Sequence, residues 1–241
     1  MVMQLPKLNK YQKKYDYSYA FGTFPVVDLL KLHPDKVYEV LLQTKSEDTV
    51  GAEEIIKLCK INNIPCEYAD RTIERISVKE NTYAVGVFKK YESELEKDSN
   101  HLILVNPSNL GNIGTVIRTM LGFGFKNLGI IKPAGDIFDP SVIRSAMGAI
   151  FHINFEFFNN ISEYTDKYPN QNIYTFMLDG AEDILNVSFK APMSLIHGNE
   201  SAGLGNEYKS LGKSVYIPHS SEIDSLNLSV ASAISLWEAT K

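Results

Sequence analysis

The sequence predicts an α/β protein of two domains, and three observations carry that prediction. Short β-branched and aromatic runs alternate with amphipathic stretches along the 241 residues. A polar stretch at 92–100, ESELEKDSN, interrupts the alternation and separates segments of different character. Beyond it, polar glycine-bearing loops follow the expected strands, where ligands bind in open parallel sheets. A domain usually takes about 100–200 residues, so the length agrees with one large or two modest domains.

The first domain, 1–95, reads as a small α/β sandwich. A helix is expected at 24–32, an extended segment at 37–43 and a helix at 52–62. Ile55, Ile56, Leu58 and Cys59 share one face of the latter. A short strand at 65–69, a turn of helix at 72–76 and a β-rich run at 82–91 complete it.

The second domain, 96–241, carries clearer signals. Strands are expected at 101–105, 128–131, 153–157, 173–177, 193–197 and 215–218, with a helix at 113–121 after the first. Asp139-Pro140 reads as a helix start, with a capping carboxylate followed by proline at the first helical position. The chain ends in a helix over 226–240, where Leu228, Ala231, Ile234, Leu236 and Trp237 supply apolar positions. Strands alternating with helices imply a mostly parallel sheet covered on both faces.

Composition narrows the function classes. Hydrophobic residues make up 44% and charged residues 22%, which suits a folded protein rather than a disordered one. No apolar run approaches the ~18 residues of a membrane span, and no apolar core follows the lysines of the N-terminus as a secretory signal requires. Two cysteines, Cys59 and Cys66, can neither staple a scaffold nor fill a four-ligand zinc site. A reduced, cytoplasmic setting fits.

The net charge of −5 argues against a general nucleic-acid coat protein, but a specific RNA or DNA enzyme depends on local field. Basic density is concentrated in residues 1–100, beginning with Lys7, Lys10, Lys13 and Lys14. These interleave with Tyr11, Tyr15, Tyr17 and Tyr19, and cations beside stacking rings suit unpaired RNA. A solvated, mobile arm is the plainer alternative.

Three segments carry the candidate chemistry: NPSNLGNIGTVIR at 106–118, HGNESAGL at 197–204 and IPHSSEIDSLNLS at 217–229. Each has a modest explanation. Gly111 and Gly114 could be turn glycines; neither the dinucleotide fingerprint nor the phosphate loop has this spacing. Arg118 could be solvated on its helix, Glu200 could favour a helix N-terminus, and Ser225 could cap the last helix. His33, His101, His152, His197 and His219 form no ligand pattern with either cysteine, so no metal is expected; His197 and His219 adjoin the three segments.

Together the segments resemble the three motifs of the SpoU (TrmH) family of the SPOUT superfamily, S-adenosylmethionine-dependent RNA ribose 2′-O-methyltransferases. Asn112 to Arg118 is similar to the first motif, Gly198-Asn199-Glu200 with Gly203 to the second, and Ile217-Pro218 with Ser225-Leu226-Asn227 and Ser229 to the third. The segment AMGAIF at 146–151 resembles the family's intervening A-x-G-A-x-F. Residues 1–91 more weakly resemble an L30e-like RNA-binding module, with YAVGV at 83–87 where relatives often carry His-Gln-Gly-Val.

The resemblance implies a C-terminal trefoil knot and a homodimer with active sites at the subunit interface. It implies that Leu195, Gly198, Asn199, Ile217, Leu226 and Ser229 bind S-adenosylmethionine. Arg118 would act on the target ribose and its phosphate, with Asn112, Asn227, Ser225 and Glu200 positioning the loops and nucleotide. A guanidinium keeps its proton below pH ~12, so anchoring a phosphate and a developing alkoxide suits Arg118 better than general-base work, though a special environment could permit the latter. Ribosomal and transfer RNA both remain open as substrates. Two other readings compete: a non-catalytic RNA-binding assembly factor retaining the fold, and a nucleotide-using enzyme in an ordinary doubly wound domain. The intact polar set argues against the former, and the missing phosphate-loop spacing against the latter.

Overall fold

The computed structural model describes residues 7–77 and 82–241. Residues 1–6 of the basic N-terminus lie outside the described residues, as do 78–81. In chain order the first elements are β1 (Tyr17–Phe21), α1 (Thr23–Leu32), β2 (Val37–Leu42), α2 (Val50–Asn62), β3 (Cys66–Tyr68), α3 (Asp70–Ile76) and β4 (Ala84–Lys89). Helix α2 starts where the Thr49 hydroxyl accepts from the Ala52 amide. It stops where Asn63 turns left-handed, at φ 54°. Ile55 and Cys59 of its expected face are buried, while Ile56 and Leu58 are half-buried. The four strands form one sheet in the order β1-β4-β2-β3, with β4 antiparallel to both neighbours.

The second set comprises β5 (His101–Val105), α4 (Leu110–Gly122), β6 (Asn127–Ile131), α5 (Pro140–Ser145), β7 (Asn154–Phe158), α6 (Ile161–Lys167), β8 (Asn172–Phe176), β9 (Glu182–Asp183), β10 (Met193–His197), β11 (Lys213–Tyr216) and α7 (Leu228–Ala239). Seven strands pair in the order β7-β6-β5-β10-β8-β11-β9, every pairing parallel. The expected mostly parallel sheet is therefore present. Its central strands β5 and β10 are buried at every residue, which is why they read as mainly apolar runs without polar alternation. Their His101, Ser194 and His197 are hydrogen-bonded inside.

The chain divides into two compact units, and their boundaries differ from the sequence expectation in two places. Residues 136–152, expected in the second domain, cluster with residues 1–91. Asp139 caps α5 as anticipated, accepting from the Ser141 amide at 2.8 Å. The helix nonetheless belongs to the first unit, where Phe138 and Phe151 pack edge-on against Phe88. The polar stretch 92–100 is no loose tether either. Leu95 is buried. Ser93 exchanges hydrogen bonds with the Phe155 backbone, the Glu96 amide donates to Asn127, and Tyr168 donates to the Leu95 carbonyl. One apolar residue in a charged run is enough to fasten it when sheet-edge acceptors are close.

Three elements escaped the sequence reading, the first of them strand β1. Helix α6 is a single short, largely polar segment announced only by its Asn160 cap, and β9 has two residues. The last helix is also offset from expectation. Its N-cap is Asn227, not Ser225, and accepts from the Ser229 amide at 2.9 Å. Its buried residues are Leu228, Ser232, Ser235 and Leu236, whereas Trp237 is 56% exposed. Two of those four buried positions are serines, and the exposed indole lies edge-on to Phe123 with ring centroids 6.1 Å apart.

Candidate functional site

The site is assembled by three loops of the second unit at the carboxyl ends of parallel strands. The first follows β5, the second follows β10 and the third follows β11. Asn106 closes β5 in a left-handed conformation, at φ 50°. Its carbonyl accepts from the Asn199 side chain at 2.6 Å, which ties the first loop to the second. In the second loop, Gly198 is required by close approach: a Cβ there would fall 2.2 Å from the Gly203 carbonyl carbon. That contact permits the Asn199–Gly203 bridge, which turns the loop back on itself.

Glu200 projects from this turn to the start of α4. Its carboxylate accepts from the Ser108 and Asn109 amides at 3.4 and 3.2 Å, from the Ser108 hydroxyl, and from the Asn112 side chain at 3.3 Å. Burial pushes the Glu200 carboxyl up, but these donors outweigh it and hold the group below the ordinary carboxylate range. A carboxylate is favoured at a helix N-terminus for this reason, although the helix is not its own.

Asn112 completes the junction. Its side-chain amide donates to Glu200, and its Oδ1 accepts from Asn227 at 3.1 Å. Asn227 in turn caps α7. One asparagine therefore links all three loops, and each partner comes from a segment singled out in the sequence. Arg118 lies on the exposed strip of α4, beside Thr115 and opposite the buried Ile113, Val116, Ile117 and Met120. Among the described residues it makes no hydrogen bond or ion pair.

Beside this junction is a cavity of about 360 Å³. That volume lies within the ~300–1,000 Å³ of small-molecule sites. Gly198, Asn199, Glu200, Ile217, Ser225 and Leu226 line it. Leu195 does not; it is fully buried inside β10. Ser229 also lies outside the lining, with its amide and hydroxyl both held by Asn227. Arg118, Asn112 and Asn227 are not lining residues either.

The lining includes residues the sequence reading missed, notably Phe176 at the end of β8 and Leu178 and Asp179 just after it. The signal was available, since Leu178-Asp179-Gly180 is another glycine-bearing loop at a strand's carboxyl end. Beneath the cavity, His197 stacks on Phe176 with ring centroids 4.6 Å apart. The Ser235 hydroxyl donates to the Ser232 carbonyl, so His197 Nε2–H is the donor to Ser235, at 2.8 Å. Full burial pushes this imidazole down to about 3, so it is neutral at physiological pH. Among the described residues, no three His, Cys, Asp or Glu side chains cluster as metal ligands would. No described helix is long and apolar enough to cross a membrane.

The N-terminal tyrosines of the first unit are placed differently from the expectation of a stacking surface. Tyr17 and Tyr19 are buried, and Tyr15 stacks on Tyr17 at 5.0 Å. Tyr11 donates to Asp136, Tyr17 to the Lys7 carbonyl and Tyr19 to the Asn9 carbonyl. The Tyr17 and Tyr19 rings join the apolar sheet face around Leu41, Val85 and Val87 and are closed to bases, while Tyr11 and Tyr15 pack half-buried against it. The same bonds fasten residues 7–19 rather than leaving them a mobile arm. Lys7, Lys10, Lys13 and Lys14 remain exposed.

Comparison with known proteins agrees with this arrangement. Residues 99–237 match the SpoU rRNA Methylase family. The chain is 25% identical to the 23S rRNA (guanosine-2′-O-)-methyltransferase RlmB of Acinetobacter baylyi, over 93% of this chain and 97% of that protein. It is 30% identical to the 23S rRNA (guanosine(2553)-2′-O)-methyltransferase RlmP of Bacillus subtilis, over 53% of this chain and 52% of that one. Among solved structures, an rRNA methyltransferase from Sinorhizobium meliloti superposes with a TM-score of 0.81 at 25% identity, covering 95% of this chain and 90% of that one. The SpoU methyltransferase AviRb from Streptomyces viridochromogenes, in complex with AdoMet, gives a TM-score of 0.79 at 22% identity, covering 93% and 89%. With the family match spanning more than half its length and its three motif loops joined at Asn112, the chain belongs to the SpoU rRNA methylase family.

Proposed function

We infer that this protein transfers the methyl group of S-adenosylmethionine to a ribose 2′-hydroxyl of RNA. The observation that carries the reading is the Glu200–Asn112–Asn227 bridge, which joins the three family motifs beside a ligand-sized cavity. The cavity suits this cofactor: Ile217, Leu226 and Leu228 offer apolar walls, while Asp179 and Glu200 bring carboxylates. The tight Gly198 turn presents backbone rather than side chain, as a close-fitting nucleoside requires. When bound, the cofactor supplies a methyl group already activated on a sulfonium.

The protein's part is positioning. Gly198, Asn199, Ile217 and Leu226 would hold the donor, and Glu200 with Asn112 would fix the loops around it. Arg118 would anchor the phosphate beside the target ribose and stabilise the alkoxide as its proton leaves; its free, exposed guanidinium supports that role. Arg118 does not line the cavity of its own chain, which supports a homodimer in which the active site lies at the subunit interface. Exposed Val230 and Trp237 on α7 suit such an interface.

The finer architecture belongs to the same reading. Placement of β10 between β5 and β8, with β11 beyond β8, supports a C-terminal trefoil knot. The mixed four-stranded sheet with its helices supports an L30e-like substrate-binding role for the first unit, with the second unit, 92–135 and 153–241, as the catalytic part. Lys7, Lys10, Lys13 and Lys14 would contact RNA phosphates there. The substrate is ribosomal or transfer RNA, in the cytoplasm.

The test incubates the purified protein and S-adenosylmethionine separately with unmodified ribosomal and transfer RNA. Mass spectrometry then reads 2′-O-methylated nucleosides, with Arg118→Ala as control. A new methylated ribose should appear with the wild type and be lost by at least about 100-fold with the variant. Binding of S-adenosylhomocysteine should be unchanged in the variant. Cofactor binding without product on any RNA would favour a non-catalytic RNA-binding protein that keeps the fold.

A further inference from the structure

His219 lines the cavity, two residues beyond the strand-end Ile217. Its Nδ1 lies 2.7 Å from the Ile217 carbonyl. A carbonyl can only accept, so Nδ1 carries a proton, and in the neutral ring Nε2 is left as a pure acceptor. Among the described residues no other group bonds this ring. The backbone therefore fixes both the tautomer and the anchor point of an imidazole at the edge of a ligand-sized space.

The other polar side chains of the cavity are suited to different parts of a ligand. Asp179 and Glu200 are carboxylates, matched to an ammonium rather than to a flat heterocycle; the first pairs with Lys209 and the second is held at the start of α4. Ile217, Leu226 and Leu228 supply apolar surface adjoining His219 in sequence or in the cavity wall. A nucleobase needs this combination of apolar walls and a neutral hydrogen-bonding group of one polarity. An aromatic amine is an obligate donor, whereas a ribose hydroxyl is equally content with donors, so only the amine is read by a group that can solely accept.

We propose that His219 determines base specificity for the cofactor, its Nε2 accepting a hydrogen bond from the exocyclic amine of adenine. This rests on the cavity being the S-adenosylmethionine site. The role is one of recognition: an inosine-type base, with oxygen in place of the amine, sets two acceptors against each other and is rejected.

Isothermal titration calorimetry on the full chain tests it, using S-adenosylhomocysteine and S-inosylhomocysteine. The wild type should prefer the adenosyl compound by about three- to fivefold, the effect of one hydrogen bond to a ring that solvent also reaches. His219→Phe should lose the same roughly three- to fivefold toward the adenosyl compound and bind the two alike. His219→Gln, whose amide oxygen can accept, should recover part of the preference. Retained discrimination in His219→Phe overturns the proposal while leaving the cofactor site intact. If the wild type binds neither compound, the proposal falls together with the assignment of the cavity.

Discussion

The N-terminal tyrosines of the first unit and the polar loop residues of the second invite comparison, because both look like RNA-facing chemistry in the sequence. The fold treats them in opposite ways. Tyr17 and Tyr19 turn their rings into an apolar cluster and donate their hydroxyls to nearby carbonyls. Asn112, Glu200 and Asn227 instead bond to one another across loops far apart in sequence, beside an open cavity. A tyrosine has enough apolar surface to be claimed by a core, with its hydroxyl satisfied locally. An asparagine or glutamate has no such alternative, so a cluster of them is held either by solvent or by one another.

The comparison can be broken or sharpened by experiment, beginning where the effect should be greatest. Tyr19 is completely buried. Its replacement by alanine should lower unfolding stability by about 3–5 kcal/mol in urea titrations, as for other large aromatic truncations. RNA affinity per folded molecule should stay the same. A drop in affinity without loss of stability would return the ring to the RNA surface.

A second experiment uses acid to separate two buried or half-buried groups of the second unit. The His197 imidazole ordinarily titrates near pH ~6.5 but is pushed down to about 3 by burial, so between those values the unfolded chain binds a proton that the folded one refuses. Stability should therefore fall as pH drops through that window, by about 2 kcal/mol at pH 5. Glu200 resists its proton in the fold in the same way, but over a more acid range. Its folded carboxyl is held low, so its contribution is present above the usual carboxylate range and is lost only below it. Urea midpoints measured from pH 8 to pH 4 should decline first through His197, and His197→Gln should remove that early part. An unaltered early decline would place its origin elsewhere.

The smallest effect concerns the exposed lysines that flank the buried rings. Replacing Lys10 and Lys14 together with alanine should weaken RNA binding a few-fold at moderate salt. The salt dependence should flatten by about 0.7 per lost contact to a single strand. Unchanged binding and slope, measured by filter retention across a salt series, would exclude that segment from the RNA path.

Much of the fold was legible from the chain alone. The β5 and β10 runs appear at their expected limits because strands buried on both faces are predominantly apolar, and the Asp139-Pro140 start is local chemistry. Less legible were α6, too short to show a period, and the last helix cap, where Asn227 and Ser225 are equally suited by type. The membership of residues 136–152 in the first unit was not legible at all, since it depends on Phe138 and Phe151 meeting Phe88, more than 40 residues away in the chain.

For the site, the sequence alone determined the three motif segments and thus the family, because those polar residues at those spacings have few other uses. It also determined the alternation that makes a parallel sheet, since strand and helix periods are local properties. Only the tertiary structure decided that Asn112 is the link among the loops, that Leu195 is core, and that Leu178, Asp179 and His219 join the cavity wall. Those facts depend on which strand ends become neighbours and which side of a strand each residue faces. Long-range packing selects both, and no short stretch of sequence encodes them by itself.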